Sequence, residues 1–156
     1  MTRNFLALVI LVFGAAGFAC AQQSSDQASP STASAKKGST PPYHSAPPTK
    51  PLPATIDPKE FGGVTQNIYA LAAEVKDVLY QEPCYCGCDK EAGHKSLLDC
   101  YMDRHGSFCD VCKKEAGYTY IHTKKGETAE QIRKGIIEGK WKDVDLTQYE
   151  KPSSRK

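Results

Sequence analysis

The chain has 156 residues, of which 40% are hydrophobic and 9% aromatic, and its 20 basic and 18 acidic side chains leave a net charge of +2. So small a charge gives no general attraction to nucleic acid, and no stretch reaches the roughly 20 apolar residues of a spanning helix. Seven cysteines are the unusual feature: Cys20 stands apart, and the other six lie between Cys84 and Cys112.

In chain order, Arg3, the apolar run Phe5 to Phe13 and the small residues Gly14 to Gly17 have the three parts of a secretory signal, over about residues 1–21. Two processing outcomes compete at its end. Ala19-Cys20-Ala21 fits cleavage after Ala21, whereas Gly17-Phe18-Ala19-Cys20 resembles a lipobox in which Cys20 becomes the lipidated first residue. Both predict an exported protein of the periplasm or cell envelope, and only the second gives it a membrane contact, through the lipid on Cys20. Residues 22–58 contain eight prolines and few large aliphatic side chains. Such a segment buries too little apolar surface to offset its ordering entropy, so it is predicted to be a disordered spacer, with His44 solvated within it.

The folded domain is expected over residues 59–150, with a short tail at 151–156. It holds 13 basic and 16 acidic side chains, so the basic excess belongs to the flanking segments. Ile68, Leu71, Ala72, Val75, Val78 and Leu79 recur at helical spacing, which predicts a helix over Val64–Tyr80, ended by Pro83. Lys95–Asp103 reads as a second short helix, stopped at Gly106. Cys109–Ala116 reads as a third, capped by Ser107 and closed by Gly117. Residues 117–123 suit a short strand or a connector. Thr128 and Gln131 form a capping box for a last helix that runs to about Gly139, with Ile132, Ile136 and Ile137 as its stripe. The expected fold is therefore all-α, a small Cys-rich bundle of about four short helices with at most one short strand.

Cys84, Cys86 and Cys88 alternate along the chain. Alternate residues share one face when extended, and Gly87 lets the chain turn if the thiols converge on one point. Disulfides within so small a loop are strained, so the triplet favours a metal. Cys109 and Cys112 form a Cys-x-x-Cys pair at a helix start, where thiolate is favoured and either a metal or a redox dithiol fits. Cys100 is the sixth thiol, and His94 and His105 flank its helix.

Pro83-Cys84-Tyr85-Cys86-Gly87-Cys88, followed by Gly93-His94-Lys95-Ser96-Leu97, Asp99-Cys100 and the closing Cys-x-x-Cys, resembles the bacterial family named for its PCYCGC motif. The hexapeptide matches without substitution, and the resemblance covers about residues 60–140. It implies an exported protein, in most members a lipoprotein, of unestablished function, and it carries no known catalytic residues. The Gly17-Phe18 pair departs from the usual lipobox.

Two classes of function compete. Six cysteines in an exported domain can pair as a disulfide scaffold for structure or interaction. Alternatively, Cys84, Cys86, Cys88, Cys100, Cys109 and Cys112, with His94 and His105, bind a transition metal, copper or zinc, for delivery, sequestration or structure. A metal-handling or redox partner protein would then accompany the ion. Met102 is the one methionine beyond the signal, which excludes a methionine-type copper site. An iron–sulfur cluster would need filling before export or by another route. A thiol oxidoreductase built on Cys109 and Cys112 lacks its usual βαβ setting. No hydrolase triad or phosphate loop is present, so an enzyme is not the expected class. Asp99 and Asp103 are expected on solvated helix faces, Trp141 as a core anchor, His122 away from the thiols, and Tyr85 packed over the site or the first helix.

Overall fold

The computed structural model describes residues 39–150; the expected signal segment, Cys20, the first part of the expected spacer and the expected tail lie outside the described residues. Among those described there are seven helices and no strand. They are α1 (Gly63–Glu74), α2 (Lys76–Leu79), α3 (Cys88–Glu91), α4 (Asp99–Met102), α5 (His105–Phe108), α6 (Asp110–Lys124) and α7 (Ala129–Ile137). Short 3-10 turns lie at Pro58–Glu60, Lys140–Asp143 and Leu146–Tyr149. None of these helices is long and apolar enough to cross a membrane.

The stripe of the first expected helix is buried except for the half-buried Val78, but the helix breaks at Val75 (φ −120°, ψ 24°). The break sends Leu79 into one core, with Ile68, Tyr69, Leu97, Leu98 and Tyr101, while Val78 packs on a second. That second core is built from Tyr118, Ile132, Ile136, Trp141 and Val144, so Trp141 is the anchor expected of it. The capping box forms: Thr128 Oγ1 accepts from Gln131 N, and Gln131 Oε1 accepts from Thr128 N at 2.9 Å.

The long helix α6 corrects two expectations. Residues 117–123 are neither strand nor connector but its second half, and Gly117 does not end it. A Cβ on Gly117 would lie 3.1 Å from Tyr149 Oη and 3.3 Å from Val144 Cγ1, so this glycine marks where the C-terminal turns press on the helix. Ser107 does not cap α6 either; its hydroxyl donates to Arg104 O, and Cys109 occupies the cap position. The helix expected over Lys95–Asp103 shrinks to the single turn of α4, because Asp99 Oδ2 accepts from the backbone of Lys95 and Ser96 and holds those residues in a turn.

The segment assigned by composition to the spacer lacks helix from 39 to 57, yet its described part packs on the helices. His44 stacks on Tyr80 at 3.8 Å between ring centroids rather than standing in solvent. Ile56 N donates to Tyr101 O at 2.9 Å, and Lys76 Nζ donates to Leu52 O. Proline keeps this strip extended, while Leu52 and Ile56 supply enough apolar surface to seat it.

Candidate metal centre

Three elements bring the thiols together. Pro83 to Gly87 runs in from α2; Gly87 takes a left-handed conformation (φ 91°) and starts α3, so Cys88 turns back instead of continuing an extended triplet. Cys100 lies in α4 and is fully buried. Cys109 caps α6 and Cys112 lies in its first turn.

The six cysteines among the described residues are all free. Their Sγ atoms approach to 3.2 Å for Cys84–Cys86, 3.5 Å for Cys88–Cys100, and 3.6 Å for both Cys84–Cys112 and Cys86–Cys112. A tetrahedral ion bound at about 2.3 Å to sulfur separates its thiolates by about 3.8 Å. The contacts are thus close to the edges of a metal-thiolate tetrahedron and far longer than a disulfide bond of about 2.05 Å. Two sets of four ligands each have their donor atoms within 4.8 Å of one another: Cys84, Cys86, Cys88 and Cys100, and Cys86, His105, Cys109 and Cys112.

The histidines take different roles. His105 Nε2 lies 3.4 Å from Cys86 Sγ and completes the second set. His94 belongs to neither set; its Nδ1 lies 3.3 Å from Cys100 Sγ, behind the cluster. Gly93, with φ 72°, makes the turn that brings it there. Asp103 is the residue that sequence reasoning missed. Its Oδ2 lies 2.9 Å from His94 Nε2, and its Oδ1 accepts from His105 N at 2.8 Å, so one carboxylate orients one imidazole and pins the backbone of the other. Its spacing, two residues before His105, was the available signal. Asp103→Ala is expected to weaken metal affinity about 10- to 100-fold, with Asp103→Asn retaining part of it, measured by competition with a chromogenic chelator.

The surroundings are apolar and hold few charges. Tyr69 Oη donates to Asp103 O at 2.8 Å and Tyr101 Oη donates to Cys112 O at 2.7 Å, fastening α1 and α6 to the site. Burial drives the Glu115 carboxyl up to about 8, against the opposing effects of the Cys84 thiol and the Tyr85 N–H, and its Oε1 accepts from that N–H at 2.9 Å. Burial also raises Glu82 to about 9 despite Arg133. The Tyr85 side chain packs on the second core instead of over the thiols. The thiols of Cys100, Cys112, Cys84 and Cys88 together favour the thiolate of Cys86, whereas Cys112, Cys84, Cys86 and Cys88 push Cys100 up. So many thiols ionise together only against a cation.

Gly106, expected as a helix stop, lies inside α5 and lets that turn approach α4; a Cβ there would sit 2.8 Å from Cys100 O. Because that oxygen is backbone, Gly106→Ala must spread α4 from α5, at a cost of about 1–3 kcal/mol. A lowered denaturation midpoint together with weaker metal binding is the expected result.

A family model described as "Protein of unknown function with PCYCGC motif" matches residues 8–154. The chain belongs to this PCYCGC family. The match extends beyond the 60–140 expected from the motif and takes in most of the chain. Comparison with curated proteins and with solved structures returns no match. The PCYCGC hexapeptide supplies three of the four ligands in one set and one in the other.

Proposed function

We propose that this PCYCGC protein is an exported metal-binding protein whose thiolate cluster takes copper or zinc for delivery or sequestration. The observation that carries the proposal is the convergence of six free thiols and His105 into sets with near-tetrahedral spacing. Soft thiolates select Cu(I) and Zn among common ions, and the two sets are made of thiol sulfur and imidazole nitrogen. Export rests on the three-part signal of residues 1–21, and a lipid anchor on Cys20 would hold the domain at the envelope by the strip that follows. For delivery, the partner is a metal-handling protein that exchanges ligands with the cluster.

The test is metal analysis with a free-thiol count on protein taken from the exported fraction. Tightly held copper or zinc, with the thiols becoming titratable only after the metal is removed, is the expected result. A metal-free protein with three defined disulfides and full helical content would overturn the proposal.

A further inference from the structure

Resting on the thiolate reading above, we propose that the cluster is dinuclear: Cys84, Cys86, Cys88 and Cys100 hold an inner ion, Cys86, His105, Cys109 and Cys112 hold an outer one, and Cys86 bridges them. The outer ion is the one exchanged. Both four-ligand sets contain Cys86 and share no other residue. Two four-coordinate ions with one bridging ligand need seven donors, and six thiols plus one imidazole are those present in the sets. A single four-coordinate ion would leave three of these donors unused, including buried thiols in an apolar core.

The sets also touch between their shared ligand and their neighbours. Cys112 Sγ lies 3.6 Å from both Cys86 and Cys84, which places the two coordination spheres side by side around the bridging sulfur. A thiolate has lone pairs for two ions, so Cys86 needs no rearrangement to serve both.

Accessibility separates the ions. Cys84, Cys88 and Cys100 are buried in the main core, whereas the outer set has His105 half-buried at the start of α5 and Cys109 half-buried at the α5–α6 junction. Next to Cys109 stands Phe108, 81% exposed, at the mouth of that junction. An incoming ligand reaches Cys109 or His105 from solvent, but reaches Cys88 or Cys100 only by opening the core. Exchange by successive ligand displacement therefore starts at the outer ion, with Cys86 keeping a hold on both.

The experiment loads the full chain with Zn(II) under reducing conditions and counts bound ions by native mass spectrometry during a chelator challenge. Two ions are expected in the parent, with the second released slower by on the order of tenfold or more. Cys109→Ala should keep one ion and lose the fast phase. Cys88→Ala should keep one that leaves fast, with far-UV circular dichroism confirming its fold. One ion in the parent would overturn the dinuclear site while leaving the thiolate reading intact; no ion would overturn the thiolate reading itself. Two ions leaving in one phase would overturn the order of exchange. The bridge has a readout independent of variant folding: two Co(II) ions in the parent should be magnetically coupled and give a weak paramagnetic signal per ion, and uncoupled ions would overturn it.

Discussion

Stripping metal from the loaded protein with a strong chelator, under reducing conditions, is expected to lower its thermal midpoint by at least about 15 °C. A ligand that binds the folded state alone stabilises it by about 4 kcal/mol when present at 1,000 times its dissociation constant. Each kcal/mol moves the midpoint of a domain of this size by roughly 4–8 °C. The six cysteines come from three separate places in the chain, α3 and the turn that leads into it, α4, and the start of α6. An ion joining them fastens these segments together beyond their packing and hydrogen bonds, while the empty cluster leaves buried thiols with weak S–H contacts. Calorimetry of loaded, stripped and reloaded protein checks this, and a midpoint unchanged by stripping would mean that the thiol pocket is held by packing alone.

Tyr101→Ala is expected to cost about 3–5 kcal/mol, a large part of the roughly 5–15 kcal/mol that holds a domain together. Tyr101 is fully buried, packs edge-on to Tyr69 with ring centroids 5.0 Å apart, and donates its hydroxyl to Cys112 O. Its backbone carbonyl also accepts from Ile56 N, which ties the proline-rich strip to the same point. Tyr101→Phe keeps the ring and loses one hydrogen bond, for about 1 kcal/mol. Chemical denaturation of the stripped protein should therefore separate the two variants widely. Adding Zn(II) should restore part of the helicity of Tyr101→Ala, because the ion rejoins α4 and α6 across the hole.

The parts of this protein set by neighbours in sequence were legible; those set by distant neighbours were not. The Thr128–Gln131 box, the buried stripe of α1 and the thiols of the hexapeptide follow from spacings of two to four residues. Gly117 sits mid-helix because Tyr149 and Val144 press on it from the C-terminal turns, a cause far away in sequence. The strip at residues 39–57 has the composition of a free spacer, yet His44 on Tyr80 and Ile56 on Tyr101 seat it, through contacts that composition does not encode. The candidate site divides in the same way. Its six thiols were readable one by one, but the division into two sets with Cys86 in common depends on how Gly87 turns the chain and on where α6 begins. The different roles of His94 and His105, which look alike in sequence, go with Asp103, whose two oxygens reach both residues.

X-ray absorption spectroscopy of the loaded protein at the metal edge decides whether the thiols hold the ion. A first shell dominated by sulfur at about 2.3 Å with a minor nitrogen contribution from His105 is expected; a shell of oxygen and nitrogen alone would mean that the thiols are not its ligands.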